Sequence, residues 1–105
     1  MSSLKGLNVI ITGASTGIGK GIAIAFASAG ANLVLASRDE KKLSIVAGTA
    51  KKLGSSVLVV PTDVTVEAQV VKLFATTMDS FNSVDVLVNN AGTFDGGPLE
   101  DIKLE

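Results

Sequence analysis

Three glycines in the run Thr12-Gly13-Ala14-Ser15-Thr16-Gly17-Ile18-Gly19 have the spacing to hold a pyrophosphate against bare main chain. Gly13 would allow a tight turn. Gly17 would let the backbone approach the phosphates with no Cβ in the way, and Gly19 would let a helix pack close to a strand. Free N–H groups at the start of that helix, with the positive end of its dipole, would face the anion. Three further groups recur along the chain at places where they could meet the rest of such a ligand: Ser37-Arg38, Asp63, and Asn89-Asn90-Ala91-Gly92.

Those residues work together only if the chain puts them on one edge. Asn8-Val9-Ile10-Ile11-Thr12 is β-branched and reads as a buried parallel strand. Ile18, Ile22, Ala25, Phe26 and Ala29 then recur at helical spacing up to Gly30. Leu33 to Ala36 is a second strand. Asp39 can cap a helix with Leu43, Val46, Ala47, Ala50 and Leu53 on its apolar face, ended by Gly54. Val57 to Val60 is a third strand stopped by Pro61. Thr65 can cap a third helix with Val70, Leu73, Phe74, Thr77, Met78 and Phe81 on one side, and Val84 to Asn89 is a fourth strand.

Strands alternating with helices predict an α/β fold of the Rossmann type, a doubly wound parallel sheet in the order 3-2-1-4 with three helices. The first two helices should cover one face and the third the other. The glycine turn then lies at the carboxyl end of strand one, beside the point where the strand order reverses, which is where such sheets bind ligands. The 105 residues form one dinucleotide-binding domain, 1–105, with no linker, repeat or low-complexity segment.

Composition removes other classes. Nine basic and ten acidic residues leave a net charge of −1, so no basic face invites nucleic acid. With no Cys and no His there are no disulfides, no common zinc site and no imidazole catalysis. Gly21 to Ser37 is uncharged and reaches about 17 residues, the lower limit of a membrane span. Its period changes from helical to strand-like across Gly30, so a helix followed by a buried strand is expected instead. No secretory leader is evident, and a soluble, cytoplasmic protein with no membrane partner is expected.

At the end of strand two a carboxylate would bond a ribose 2′-hydroxyl, whereas a basic residue would take a 2′-phosphate. This chain places Ser37 and its one arginine, Arg38, there. Arg38 can pair bidentately with a phosphate and Ser37 can donate a hydroxyl, so NADP(H) is favoured and NAD(H) is the alternative. Asp39 lies near the distance expected of an NAD-type acid, but reads as the helix cap. Asp63 ends strand three and could accept from an adenine amine or serve as a turn residue. Asn89 to Gly92 is placed to meet the ribose or nicotinamide. Lys41, Lys42, Lys51 and Lys52 read as the wet face of the second helix. Phe94 reads as packing, and Asp95 to Pro98 as a loop.

Together these residues resemble the short-chain dehydrogenase/reductase family. Its Thr-Gly-x-x-x-Gly-x-Gly turn matches Thr12 to Gly19, its strand-three aspartate matches Asp63 before Val64, and its Asn-Asn-Ala-Gly matches Asn89 to Gly92. The resemblance implies that Ser15, Thr16 and Ile18 line the cofactor phosphates with the glycines. It implies that Asp63 and Val64 flank the adenine, and that Asn90 and Gly92 lie near the ribose and nicotinamide. Many NADP-preferring members carry a basic residue just before the second glycine, where this chain has Thr16.

The same resemblance implies reduction of a small carbonyl, or oxidation of an alcohol, by a family that forms homo-oligomers. It also implies a catalytic serine and a Tyr-x-x-x-Lys pair, with tyrosine as general acid/base. This sequence has no tyrosine. It is therefore expected to be the cofactor-binding half of such an enzyme, inactive alone; the alternative is a non-catalytic dinucleotide-binding module or an inactive remnant. Strand four is expected to be an open apolar edge, making the chain weakly stable or self-associating.

Overall fold

A computed structural model describes residues 4–90, together with the backbone of residues 101–104. In chain order these form β1 (Asn8–Thr12), α1 (Gly17–Ser28), β2 (Asn32–Ser37), α2 (Glu40–Lys52), β3 (Val57–Pro61), α3 (Glu67–Phe81), β4 (Val86–Asn89) and β5 (Asp101–Leu104). The sheet order is β3-β2-β1-β4-β5, with the first four strands parallel as expected. Thr12 stands level with Ala36 and Asn89, and Ser37 with Pro61, so all four carboxyl ends share one rim.

Successive strand residues point to opposite faces, and the helices divide between them. On one face Val9, Ile11, Leu33 and Leu35 pack with Ala23 and Ala27 of α1 and with Leu43, Val46, Ala47 and Ala50 of α2. On the other, Ile10, Val34, Ala36 and Val60 pack under Leu73, with Phe74 and Phe81 beside it. Each fully buried Leu or Ile contributes about 1.5–3 kcal/mol of transfer free energy.

Several local expectations are corrected. The inward stripe of α1 is Gly19, Ala23 and Ala27, whereas Ile18 is 75% exposed and Ala25 is exposed. The helix lies so close to the sheet that only small side chains fit beneath it. On α3, Leu73 and Thr77 are buried, but Met78 is turned out and 48% exposed. Thr65 does not cap α3, whose cap position is Val66 with no side-chain bond; the Thr65 hydroxyl turns back to Asp63 instead. Asp39 does cap α2, accepting from the Lys42 N–H at 3.0 Å.

Strand four begins at Val86 rather than Val84, and it is not an open edge. β5 pairs with it antiparallel, matching Val86 with Leu104 and Asn89 with Asp101. Main-chain groups of β4 that would otherwise template association are thereby paired, which removes the physical basis for the expected self-association through that strand.

The rim opposite the strand ends is tied by Asn8, a polar residue only 7% exposed. Its Nδ2 donates to Phe81 O at 3.1 Å and to Ser83 Oγ at 2.8 Å, and its Oδ1 accepts from Asn32 Nδ2 at 2.9 Å. Its N–H donates to Asp85 Oδ2 at 2.8 Å. One side chain thus joins β1 to β2, to the end of α3 and to the approach to β4.

Candidate functional site

The glycine turn leaves β1 at Thr12 and enters α1 at Gly17. Gly13 and Gly17 have φ of +64° and +58°, in the left-handed region that costs any side chain with a Cβ. Gly19 has a different reason to be glycine. A Cβ there would fall on the Gly13 carbonyl oxygen and lie 2.6 Å from Asn90 Nδ2. The turn is fastened to its neighbours as well: Ala14 N–H donates to Ala36 O at 3.3 Å, and Asn90 Nδ2 donates to Gly13 O at 3.2 Å.

Thr12 makes the second fastening. Its hydroxyl donates to Asn89 Oδ1 at 3.0 Å and accepts from the Asn90 N–H at 2.9 Å. One residue therefore locks the end of β1 to the end of β4, and sets both asparagines beside the turn.

The start of α1 differs from that of the other helices. Thr16 occupies its cap position without a side-chain bond, and its first turn has no acidic residue. α2 begins with an Asp39 cap and Glu40, and α3 begins with Glu67. The positive end of α1 is the one left without a carboxylate, and it opens toward the rim where strand order reverses.

Beside it lies a cleft of about 290 Å³ lined by Gly13, Ser15, Ser37, Arg38, Asp39, Thr62 and Val64. Its floor is built by the sheet, since Thr62 N–H donates to Ser37 O at 2.8 Å and joins the ends of β2 and β3. Of the residues singled out from sequence, Gly13, Ser15, Ser37, Arg38 and Val64 meet in this cleft. Thr16, Gly17 and Ile18 are exposed around the helix start, Gly19 is buried beneath it, and Asn90 is half-buried behind Gly13. Ala91, Gly92, Phe94 and the 95–98 loop lie outside the described residues. Asp39 and Thr62 also line the cleft. Asp39, at the distance expected of an NAD-type acid, lines the cleft while it caps α2, and Thr62 is recognisable from its place at the end of a strand on the same rim.

Charge in the cleft is mixed. Arg38 is exposed and forms no ion pair among the described residues. Asp39 spends one carboxylate oxygen on its cap, and its N–H donates to Ser37 Oγ at 3.2 Å. Asp63 is half-buried, and its carboxyl is held below the usual carboxylate range. The Thr65 hydroxyl is the main cause, followed by the Thr65 N–H, with a smaller contribution from the Arg38 charge.

A Rossmann-type sheet with a glycine turn at its switch point defines the class. Within that class the sequence model described as short chain dehydrogenase matches residues 7–105, and the chain belongs to that family. It is 46% identical over 101 residues to 11-beta-hydroxysteroid dehydrogenase A of Sesamum indicum, covering 95% of this chain and 29% of that protein. L-sorbose reductase from Gluconobacter frateurii, solved with NADPH and L-sorbose, superposes with a TM-score of 0.83 at 38% identity, over 92% of this chain and 37% of that one. A metagenomic short-chain oxidoreductase in complex with NADP also gives 0.83, at 37% identity, over 92% of this chain and 44% of that one. The chain thus spans less than half the length of these proteins.

Proposed function

We propose that this chain is the NADP(H)-binding part of a short-chain oxidoreductase that interconverts a small carbonyl compound and its alcohol. One observation carries the reading. Gly13 and Ser15, on the turn that leads into the carboxylate-free start of α1, line one cleft with Ser37 and Arg38. A dinucleotide with a 2′-phosphate has two anionic groups to satisfy, and this cleft offers a helix start for the pyrophosphate and an arginine for the second phosphate.

The residues fit such a group. The turn glycines leave main chain bare where phosphates would lie, and Ser37 has a hydroxyl proton to donate, since its oxygen accepts from Asp39 N–H. Asp39, committed to the Lys42 N–H, supports a capping role over recognition of a ribose diol. Asp63 and Val64 would flank the adenine, and Asn90, with Ala91 and Gly92, would stand toward the ribose and nicotinamide. When bound, the cofactor supplies the hydride chemistry. The chain's own residues bind and orient it, and none of those described offers a tyrosine to move a proton.

The carbonyl substrate and the catalytic proton relay would then belong to further sequence, with which this domain would assemble as a cytoplasmic homo-oligomer. Absence of tyrosine also suits a second reading, a dinucleotide-binding module without chemistry. A fluorescence titration with NADPH and NADH separates the cofactor question. NADPH should bind more tightly than NADH, and Arg38→Ala should remove most of the difference. Equal binding of the two by the wild type would overturn the NADP(H) assignment, and binding of neither would overturn both readings.

A further inference from the structure

The overall charge of −1 is the sum of two unlike parts. Residues 4–53 hold seven basic side chains and two acidic ones, Asp39 and Glu40, whereas residues 54–105 hold two basic and eight acidic. The fold turns this division along the chain into a division in space. α1 and α2 lie together on one face of the sheet and carry Lys20, Lys41, Lys42, Lys51 and Lys52, all exposed. α3 lies on the other face with Glu67 and Asp79 against Lys72. The α1–α2 side is thus a basic face that net charge conceals.

The outer side of α2 is more than a wet surface. Its core-facing residues are Leu43, Val46, Ala47 and Ala50, and at about 3.6 residues per turn the line directly opposite is Lys41, Ile45, Gly48 and Lys52. An isoleucine that is 67% exposed therefore stands on the crest between two lysines, beside a glycine whose Cβ would meet nothing within 4 Å. Leu53, 47% exposed, adds a second apolar group where the helix ends next to Lys51 and Lys52. A helix that faces only water gains by pairing its lysines with acids three or four positions away. Lys41, Lys51 and Lys52 have no acid at those positions, and none of the four lysines of α2 forms an ion pair among the described residues.

We propose that the outer side of α2 is a peripheral contact for a bilayer surface that contains anionic phospholipid. The lysine ammonium groups meet the anionic headgroups, and Ile45 and Leu53 enter the boundary between headgroups and acyl chains. The main apolar stripe of α2 is spent on the core, so the contact is shallow and reversible. It needs no spanning segment, and among the described residues no helix is long and apolar enough to cross a membrane. The acidic α3 face points away from the surface, so the charge separation orients the chain. Nucleic acid is the other polyanion, but α2 offers no arginine and no aromatic ring to stack on bases, whereas exposed Ile45 and Leu53 suit lipid. Of α2 only its cap, Asp39, lines the cleft, so docking by the outer side leaves the cleft open.

The test is co-sedimentation of the chain with two sets of vesicles, phosphatidylcholine alone and phosphatidylcholine with phosphatidylserine in equal parts. Binding should need phosphatidylserine and should be lost at about 1 M salt, where charges act only within about 3 Å. Lys41→Gln and Lys52→Gln should each weaken it about fivefold, and Ile45→Ser about tenfold at unchanged charge. Lys72→Gln, on the α3 face, should leave it unchanged, which separates the α2 surface from net charge. All four side chains are exposed, so unfolding curves by circular dichroism should coincide with that of the wild type. No binding to either set, equal binding to both, or an Ile45→Ser variant that binds as the wild type does would overturn the proposal. A DNA duplex bound as tightly as the vesicles would overturn it too, since the face would then take any polyanion.

Discussion

Adding one methyl group at Gly19 should damage this domain, whereas adding it two residues later should not. In Gly19→Ala the new Cβ meets the Gly13 carbonyl oxygen and stands 2.6 Å from Asn90 Nδ2 and 2.8 Å from the Gly13 carbonyl carbon. Two of those three atoms are backbone, held at their far side by the turn and by Ala36, so they cannot step aside as a flexible side chain would. Overpacking of this kind costs about 1–3 kcal/mol. Loss of the Asn90 Nδ2 bond to Gly13 O adds about 0.5–1.5 kcal/mol. The helical preference of Ala over Gly returns up to about 1 kcal/mol. The balance is a loss of about 2 kcal/mol, a large share of the roughly 5–15 kcal/mol that holds a typical domain together. Gly21→Ala is the control, because a Cβ there meets nothing within 4 Å and the position is exposed in the same helix. It should gain up to about 1 kcal/mol. In urea, with a slope of about 1–3 kcal/mol per molar, the Gly19 variant should unfold about 1 M earlier than wild type and the Gly21 variant no earlier. Equal midpoints for the two variants would refute the close approach of α1 to β1 and to Asn90.

Other perturbations follow from the same geometry. Thr12→Val keeps shape but removes the hydroxyl that joins Asn89 Oδ1 and the Asn90 N–H, and should cost about 1–3 kcal/mol by chemical denaturation while loosening NADPH binding. Asn8→Ala takes the acceptor from the Asn32 amide and the donor from the Phe81 carbonyl and the Ser83 hydroxyl at the far rim, the last keeping its bond to Asp85. It should destabilise by about 2–3 kcal/mol yet leave the NADPH affinity of the folded fraction unchanged, since it lies at the opposite end of the strands. The lowered Asp63 pKa has a definite sign: the folded state prefers the carboxylate, so its stabilising contribution is complete above the ordinary aspartate value of about 3.9 and is lost as pH falls through the lower folded-state value. The stability gap between wild type and Asp63→Asn should therefore close only on the acid side of that window, and a gap independent of pH would contradict it.

Strands were the most legible part of the sequence, because β-branched runs such as Val9-Ile10-Ile11 and Val57-Leu58-Val59-Val60 suit a sheet buried on both sides. The glycine turn and the shared rim followed from them. The buried face of α1 was not legible from hydrophobicity. Close packing selects Gly19, Ala23 and Ala27, and leaves Ile18, a far more apolar residue, in the open. The same logic hid the Asn8 network, since a strand asparagine carries no sign of whether its side-chain amide will find partners 73 and 75 residues away. Thr65 before a helix looks like a cap, but a competing local acceptor, Asp63, takes its hydroxyl. β5 was not legible, because Asp101-Ile102-Lys103-Leu104 offers only two alternating apolar positions, too few to mark a strand, and its antiparallel pairing with β4 is set by tertiary contact.

We propose that one cleft, between the turn before α1 and the ends of β2 and β3, takes a phosphorylated dinucleotide. Amide chemical shifts of the labelled chain during titration with NADPH test it most directly. Saturable shifts should concentrate at Gly13 to Gly19, Ser37 to Asp39, Thr62 to Val64 and Asn90, with the Arg38 region responding far less to NADH. Shifts absent from these residues, or centred on the Asn8 rim, would contradict it.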